Sequence, residues 1–240
     1  MPHPQVDAAL AFDDLQAREV YVVDEKKPYG EGMAGGFSEG FLLRGGTIVG
    51  TESIPFGGLE RIAELATRMV ATRPDAIFYG GTTDGGGGLL LAQLVKAGYA
   101  GPFIGGDAIA NDPALVQQAG AVADHTIFAT LAVPDLSTFT TGAAAQFLRD
   151  YHAQFPGQGL DGYSANAYDA AMVLITAMKH LIKAGQEVTR AALIDQVQHI
   201  TYRGVTGPIS FDSDGAIAHG VYSIYTVQAG QWAYFQQVSL

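Results

Sequence analysis

Short apolar runs alternate with amphipathic segments of helical period through the first half of the chain, and this order restricts the fold more than any other feature. Runs rich in Val, Ile, Phe and Tyr predict strands at residues 19–24, 47–54, 76–79, 103–104 and 125–130. Apolar residues at spacings of three and four predict helices at 32–43, 59–72 and 88–97. A repeated strand–helix order predicts an α/β fold with a parallel sheet that carries helices on both faces.

The order changes after Val133-Pro134, where three helices without a strand between them are predicted at 138–155, 164–184 and 189–197. Short strands follow at 208–211, 221–227 and 232–235. The sequence therefore predicts two lobes, one built from residues 15–133 with 220–240 and a second built from 136–215. The chain would cross between the lobes at 133–136 and again at 214–220.

Composition and charge exclude several classes of function. The 240 residues carry a net charge of −11 and no basic cluster, so nucleic-acid binding is not expected. The chain has no cysteine, which excludes disulfides, thiolate metal sites and a cysteine nucleophile. Residues 1–20 have neither a basic start nor a sustained apolar segment, so no signal peptide is expected within this chain.

A glycine-rich segment, Tyr-Gly-Glu-Gly-Met-Ala-Gly-Gly at 29–36, follows the first predicted strand. Gly30, Gly32 and Gly35 fit the pattern Gly-x-Gly-x-x-Gly, which would suit a nucleotide-dependent Rossmann-like enzyme. In such a site the first glycine directly follows the strand, whereas five residues separate Asp24 from Gly30 here. The spacing favours a glycine-rich entry into a helix that packs tightly against the sheet.

Other motifs of catalysis and metal binding are absent from the sequence. The glycines at 85–88 are not followed by the Gly-Lys-Ser or Gly-Lys-Thr of a phosphate loop. The six histidines are scattered without ligand spacing, and no Gly-x-Ser-x-Gly segment occurs. We therefore expect no catalytic residue, no metal and no cofactor, and a protein that is not an enzyme.

Candidate binding residues lie where the predicted strands end, because parallel α/β sheets bind ligands at the carboxyl ends of their strands. The loops at these ends are residues 25–30, 80–87 and 105–111. Asp107 could pair with a ligand ammonium, or it could cap the segment that follows it. Tyr29, Thr82 and Tyr163 also lie in predicted loops, where each could contact a small organic ligand or pack as an ordinary half-buried side chain.

Four segments, taken in order, resemble the landmarks of a known family. They are Tyr-Val-Val-Asp with Pro-Tyr-Gly-Glu-Gly at 21–32, Asp-Ala-Ile-Phe-Tyr-Gly-Gly at 75–81, Phe-Ile-Gly-Gly-Asp at 103–107, and Gly-Pro-Ile-Ser-Phe-Asp at 207–212. The ordered set resembles type I periplasmic solute-binding proteins of the leucine/isoleucine/valine-binding family over nearly the whole chain. The resemblance implies a two-lobe fold that binds a small solute between its lobes.

The resemblance also implies roles for the candidate residues. Tyr29 matches an aromatic residue that covers the ligand, and Thr82 falls where the family places a ligand-lining residue that is often aromatic. Asp107 falls where an acidic residue holds the α-ammonium of an amino acid, and Tyr163 falls where an aromatic residue of the other lobe closes over the ligand. Because Asp is shorter than Glu, its carboxylate would lie farther back and suit a bulkier ligand or a water-bridged contact.

The function implied by the resemblance is that of the receptor of an ABC transporter, which captures an amino acid or a related amide in the periplasm or outside the cell and delivers it to an ABC permease. The segment that builds most of the family's amino-terminal lobe has no counterpart here, so we expect a truncated chain with an incomplete second lobe. A homodimer would cover the apolar surface that such a lobe exposes. A ligand-sensing regulatory module is the alternative, and the nucleotide-dependent enzyme is the less favoured one.

Overall fold

The computed structural model describes residues 3–55, 58–124 and 126–239. The chain divides into two compact units. The first unit combines the chain up to Ala132 with Tyr222–Val238, and the second unit consists mainly of Val133–Val221.

The described part of the chain contains nine strands, numbered in chain order: β1 Glu19–Asp24, β2 Thr47–Ser53, β3 Ala76–Gly80, β4 Phe103–Gly105, β5 Ile127–Leu131, β6 Tyr202–Arg203, β7 Pro208–Ile209, β8 Val221–Gln228 and β9 Gln231–Ser239. Its α-helices are α1 His3–Ala9, α2 Pro28–Leu43, α3 Ile62–Ala71, α4 Gly87–Lys96, α5 Pro113–Ala119, α6 Gly142–Gln154, α7 Gly162–Lys183 and α8 Arg190–Gln198. A π-helical turn follows α1 at Leu10–Asp14, and 3₁₀ turns lie at Leu59–Arg61, Gly120–Ala123 and Leu136–Thr138.

Most predicted elements are confirmed, with shifts at their ends. The predicted helix at 138–155 is shorter, because a 3₁₀ turn at Leu136–Thr138 precedes α6. The elements α1, α5 and β6 have no counterpart in the sequence prediction. Residue 125, the predicted start of the fifth strand, lies outside the described residues.

Seven strands form one sheet in the order β2-β1-β3-β4-β5-β8-β9. β1 pairs in parallel with β2 and β3, and β4 pairs in parallel with β3 and β5. β8 joins β5 in antiparallel orientation. The turn from β8 to β9 is Ala229-Gly230, and both residues have a positive φ, as a type I′ hairpin turn requires. The predicted α/β fold with a mostly parallel sheet is confirmed, and the last two strands extend it at one edge.

The sheet buries both of its faces, because side chains alternate along each strand. In β1, Val20 and Val22 enter one hydrophobic core, and Tyr21 and Val23 enter the other. The core of Val20 and Val22 is completed by α1 and α2, and the other core by α3, α4 and α5. Double coverage explains why β3 and β5 are buried at every residue.

The helix α2 begins at Pro28, whereas the sequence predicts a start at residue 32. That prediction is wrong because proline suits the first helical turn, while the following glycines weaken the helical signal. A Cβ on Gly30 would lie 2.4 Å from the carbonyl oxygen of Gly80, so the start of α2 packs directly on the end of β3. Apart from the adjacent backbone of α2 itself, no described atom lies within 4 Å of a Cβ built on Gly32 or Gly35. The predicted tight packing is therefore confirmed for Gly30 alone.

The helix α1 packs against α2 in the first unit. Gly36 and Gly40 lie one turn apart in α2, and Cβ atoms added there would lie 2.8 Å from Pro4 and 3.1 Å from Ala8. The inner face of α1 is buried and includes Asp7. Residues 3–14 therefore belong to the first unit, although the predicted lobe starts at residue 15.

The second unit is built mainly from α6, α7 and α8, with β6 and β7 as a two-stranded antiparallel sheet. Asp161 and Ser164 form a capping box at the start of α7. Thr189 caps α8 as predicted, and its Oγ1 accepts a hydrogen bond from Ala192 N at 3.2 Å. A small hydrophobic cluster of this unit has four buried members, Val173, Ala177, Ile200 and Ile209. Within the described ranges, no helix of either unit has the length and apolar character needed to cross a membrane.

Candidate functional site

The carboxyl ends of the parallel strands meet along one edge of the sheet in the first unit. Asp24 at the end of β1 pairs with Gly80 at the end of β3. Tyr79 of β3 pairs with Gly105 of β4, which in turn pairs with Ala129 of β5. The loops that follow these strands therefore begin side by side, which is where parallel α/β sheets receive ligands.

Two of the predicted site residues, Tyr29 and Asp107, meet at this edge. The Tyr29 hydroxyl donates a hydrogen bond to Asp107 Oδ1 at 2.7 Å and accepts one from Ala108 N at 3.4 Å. Tyr29 lies in the first turn of α2 and not in the loop that the sequence predicts. Gly106 allows the approach, because a Cβ there would lie 2.4 Å from Met33 Cε and 3.1 Å from the Tyr29 hydroxyl.

The alternative role of Asp107 as a helix cap falls to another residue. The helix α5 begins at Pro113, and its N-cap is Asp112, whose Oδ1 accepts a hydrogen bond from Ala114 N at 2.8 Å. The Asp107 side chain is 34% exposed and is directed to Tyr29. A carboxylate that is both oriented and partly exposed can receive a solute.

The structure brings Thr82 to Glu25 and not to the pair of Tyr29 and Asp107. The hydroxyl and backbone N–H of Thr82 donate to Glu25 Oε2 at 2.8 Å and 3.0 Å, and the hydroxyl accepts from Gly85 N at 3.0 Å. Glu25 is buried, so these bonds tie the loop after β1 to the loop after β3. A contact between Thr82 and a ligand stays a prediction.

Tyr163 belongs to the second unit and lies in the first turn of α7, whereas the sequence predicts a loop position. Its side chain is exposed beside the capping box of Asp161 and Ser164. The role of Tyr163 as an aromatic residue that closes over a ligand stays a prediction.

The helix α1 brings further side chains to the edge that holds Tyr29 and Asp107. His3 Nε2 lies 3.1 Å from the carbonyl oxygen of Thr130 and also contacts Thr130 Oγ1. The Thr130 hydroxyl donates to Asp7 Oδ1 at 2.7 Å. His3 Nδ1 lies 3.8 Å from Asp107 Oδ1, and the rings of His3 and Tyr222 are 5.7 Å apart. We call this group of residues the edge cluster: His3, Asp7, Tyr29, Asp107, Thr130 and Tyr222.

Reasoning from sequence missed His3, Asp7 and Thr130 because no spacing pattern connects the first residues of the chain with β5. One signal was available. Asp7 lies in a helical segment between Val6 and Leu10, both of which are buried, and a carboxyl on a buried helix face needs a polar partner elsewhere in the fold.

Burial shifts the titration of several groups in the edge cluster toward their neutral forms. Asp7 is completely buried, and the loss of solvation raises its pKa well above the ordinary value. Burial lowers the pKa of His3, although the nearby Asp107 opposes that shift. Burial, reinforced by the hydrogen bond to Asp107, raises the pKa of Tyr29, and burial also raises the pKa of Tyr222. The Asp107 carboxylate is therefore surrounded by groups that favour the uncharged state.

This arrangement is chemically suited to hold a small cation. A carboxylate forms short charge-assisted hydrogen bonds with an ammonium group. Tyr29 is 36% exposed, and its ring adds an aromatic wall beside the carboxylate. Among the described residues, no group of three or more Asp, Glu or His side chains could hold a metal ion.

A parallel sheet that presents an oriented carboxylate and an aromatic hydroxyl at its carboxyl edge is typical of α/β proteins that bind small solutes. Comparison with known proteins then identifies the family. The family model described as "Periplasmic binding protein" matches residues 2–231, and the chain belongs to this family.

Two curated relatives are similar to this chain. Leu/Ile/Val-binding protein BraC3 of Rhizobium johnstonii is 27% identical over 231 residues, which cover 95% of this chain and 59% of BraC3. Leu/Ile/Val-binding protein homolog 3 of Brucella melitensis biotype 1 is 28% identical over 107 residues, which cover 45% of this chain and 28% of that protein. The chain therefore matches about three fifths of the length of BraC3.

Solved structures of two related proteins share the fold. The leucine-binding protein LivK of Thermotoga maritima superposes with a TM-score of 0.79 at 22% identity, over 98% of this chain and 65% of LivK. LivJ of Streptococcus pneumoniae, solved in complex with isoleucine, gives a TM-score of 0.75 at 24% identity, over 99% of this chain and 64% of LivJ. These likenesses confirm the predicted periplasmic-binding-protein fold.

Proposed function

We propose that this chain is the solute-binding component of an ABC transporter, and that it captures an amino acid or a related small amide without making or breaking a bond. The observation that carries the proposal is the hydrogen bond from Tyr29 to Asp107, which orients a partly exposed carboxylate at the carboxyl edge of the sheet. The names of the relatives support it, since BraC3 is a Leu/Ile/Val-binding protein and LivJ was solved with isoleucine.

In this proposal the solute ammonium donates a hydrogen bond to the Asp107 carboxylate. Tyr29 already donates to Asp107 Oδ1, so the carboxylate is held in one orientation before the solute arrives. Such preorganisation increases affinity, because less side-chain freedom is lost on binding. The short Asp side chain would suit a bulkier amino acid or a water-bridged ammonium.

The proposed partner is an ABC permease, and the proposed location is the periplasm or the extracellular space. Binding would shift the two lobes from an open to a closed arrangement by bending at 133–136 and 214–220. Thr82 and Tyr163 are proposed to line the closed site. The homodimer that would cover an incomplete second lobe also stays a prediction.

Replacement of the carboxylate tests the proposal. Asp107→Asn should weaken amino-acid binding by about 1.5–3 kcal/mol, the usual contribution of a hydrogen bond to a charged group. Isothermal titration calorimetry against leucine, isoleucine, valine and their amides would measure this loss. The α-hydroxy analogue of the best ligand should bind wild type weakly and should not distinguish wild type from Asp107→Asn, because it has no ammonium.

Asp84→Asn is the matched control for Asp107→Asn. Asp84 is an exposed carboxylate in the neighbouring loop, so its loss changes the net charge equally without touching the edge cluster. We expect the control to bind like wild type. Equal affinity of Asp107→Asn and wild type would remove Asp107 from the site and refute the proposed function.

The nucleotide-dependent enzyme is the weaker proposal, because Gly30 packs against Gly80 and is not open to a pyrophosphate. A titration of the chain with NAD(P)H, followed by cofactor fluorescence, would test it. Saturable binding would favour the enzyme over the solute receptor.

A further inference from the structure

We propose that His3 is a second acceptor for the solute ammonium, so that its Nδ1 and Asp107 Oδ1 bind the same group and the protonation of His3 controls affinity. This inference deepens the proposed function and depends on it, since it assigns a ligand contact to a residue outside the predicted site.

The hydrogen-bond partners of His3 determine where its proton lies. Nε2 faces the carbonyl oxygen of Thr130 at 3.1 Å, and a carbonyl oxygen can only accept. Nε2 must therefore carry the proton, and in the neutral ring Nδ1 has a lone pair. The chain of contacts beyond Thr130 supports this assignment, because the Thr130 hydroxyl donates onward to Asp7 Oδ1 and leaves its oxygen to accept from His3.

The lone pair on Nδ1 is placed beside the carboxylate. Nδ1 lies 3.8 Å from Asp107 Oδ1, and among the described residues it has no hydrogen-bond partner. Two acceptors at this separation repel each other unless a donor lies between them. An ammonium nitrogen at about 2.8 Å from each acceptor would see them roughly 85° apart, which lets separate N–H groups point at each.

The surroundings of His3 keep it neutral and in position. Its side chain is 15% exposed, and burial lowers the pKa of the ring. Two titratable groups contact the ring directly, Asp107 after β4 and Tyr222 on β8. Two more lie one hydrogen bond beyond its partners, Asp7 through Thr130 and Tyr29 through Asp107. Burial favours the neutral forms of Asp7, Tyr29 and Tyr222, so Asp107 is the group that attracts a proton to His3.

Protonation would turn His3 from an acceptor into a competitor. A proton on Nδ1 would create an imidazolium beside Asp107, in the place that the ammonium needs. The solute and the proton therefore exclude each other. The affinity for the solute is highest when His3 is neutral, and it falls as the pH drops below the pKa of His3, which lies under the ordinary value of 6.5. Linkage sets the limit of this loss at about tenfold in affinity per pH unit.

Calorimetry of the 240-residue chain between pH 8 and pH 5 tests the inference, with the best-binding amino acid as ligand. Wild type should lose affinity below pH 6.5 and should release a proton on binding in that range. His3→Gln keeps an acceptor but cannot titrate, so its affinity should not change with pH over this range.

His199→Gln is the matched control, because His199 is an exposed histidine directly after α8 whose ring also lies beside a carboxylate, that of Asp195, at 3.4 Å. The affinity of His199→Gln for the amino acid should change with pH as that of wild type does. If His3→Gln keeps the wild-type pH profile while Asp107→Asn loses binding, the role of His3 is refuted and the proposed function stands. If wild type binds no amino acid, the proposed function itself fails.

NMR of the histidine Cε1–H signals tests the contact with Asp107 without a ligand, with the His3 signal assigned by triple-resonance experiments on the isotope-labelled wild-type chain. Asp107→Asn should lower the pKa of His3 further, since the attraction of the carboxylate for the proton is lost, and amino-acid binding to wild type should lower it too. A His3 pKa that is indifferent to both changes would overturn the inference even where His3→Gln fails to fold.

Discussion

The two units of this chain bury their apolar residues to very different degrees. In the first unit a sheet separates two cores, and β3 and β5 are buried at every residue. In the second unit the described hydrophobic cluster has only four buried members, and α8 has no buried residue at all. Large apolar side chains are exposed instead, among them Leu174, Ile182, Ile194 and Ile217. An apolar helix face is buried only when another layer covers it, and the first unit has that layer in its sheet.

The units also differ in the number of hydrogen bonds that a buried aspartate receives. Asp169 of the second unit accepts hydrogen bonds from Val205 N at 2.9 Å, from Thr206 N at 2.8 Å and from Thr206 Oγ1 at 2.6 Å. Asp7 of the first unit accepts one hydrogen bond from Thr130, and its Oδ2 is buried without a partner among the described residues. The hydrogen bonds of Asp169 therefore stabilise the second unit, whereas the burial of Asp7 costs solvation energy that its one hydrogen bond does not fully offset.

Truncation of a buried leucine to alanine should lower the free energy of unfolding by different amounts in the two units. It is the largest effect that we expect. Leu90→Ala in α4 should destabilise the first unit by about 4–5 kcal/mol, because Leu90 is fully buried in a dense core. Leu181→Ala in α7 should cost about 2 kcal/mol, because Leu181 is buried but lies outside the hydrophobic cluster of its unit, so its surroundings can collapse around the missing atoms. Urea unfolding followed by fluorescence of the single tryptophan, Trp232, reports the first unit, and far-UV circular dichroism reports both. Equal losses of stability in Leu90→Ala and Leu181→Ala would show that the two units are packed equally well.

A pair of glycines in α2 tests how tightly the first unit is packed. Gly30→Ala should cost about 1–3 kcal/mol, because a Cβ there meets the backbone of β3. Gly32→Ala should stabilise the protein by about 0.5–1 kcal/mol, since the helix gains a better helix former in open space. Chemical denaturation would measure both changes. A stabilising Gly30→Ala would contradict the packing of α2 on Gly80.

Substitution of the two buried carboxylates should give opposite results. The pKa of Asp7 is raised by folding, so the folded chain binds the extra proton and stability falls as pH rises from about 4 through the folded pKa. Asp7→Asn removes that loss, which should raise the melting temperature relative to wild type by an amount that grows with pH. Each pKa unit corresponds to about 1.4 kcal/mol.

Asp169→Asn is the counterpart of Asp7→Asn and should destabilise the chain by about 1–3 kcal/mol, because charge-assisted hydrogen bonds are lost. Differential scanning calorimetry at pH 4, 5.5 and 7 would measure both variants. A gain for Asp7→Asn that is the same at every pH would show that its carboxyl does not titrate as inferred.

The smallest effect is expected on the exposed apolar surface of the second unit. Ile182 and Ile194 are 65% and 60% exposed, so Ile182→Gln and Ile194→Gln should change stability by less than about 0.5 kcal/mol. Both variants should reduce binding of the dye ANS, which reports exposed apolar surface. Unchanged ANS fluorescence in the double variant would mean that the surface is covered in solution.

The fold could be predicted from the sequence because the patterns that indicate each strand and helix are local. The apolar runs at β1 and β3 and the helical period of α3 lie within single elements, and their order alone predicts the parallel sheet. The same reasoning placed Asp107 and Tyr29 in loops at the carboxyl ends of strands, and the structure joins the two side chains at that edge of the sheet.

The rest of the candidate site could not be predicted because it depends on contacts between distant elements. His3, Asp7 and Thr130 come together only after α1 has packed on the glycine surface of α2. The start of α2 was misplaced for a related reason, since Gly30 follows from the position of Gly80 and not from helix propensity.

The place of β8 in the sheet has a consequence for how the protein is made. β5 pairs on one side with β4 and on the other with β8, which the ribosome produces only after the whole second unit. One side of β5 therefore lacks its partner throughout that interval, and a nascent chain that stalls before β8 offers this free edge to its neighbours. Translation speed across α6–α8 should accordingly influence the yield of folded protein.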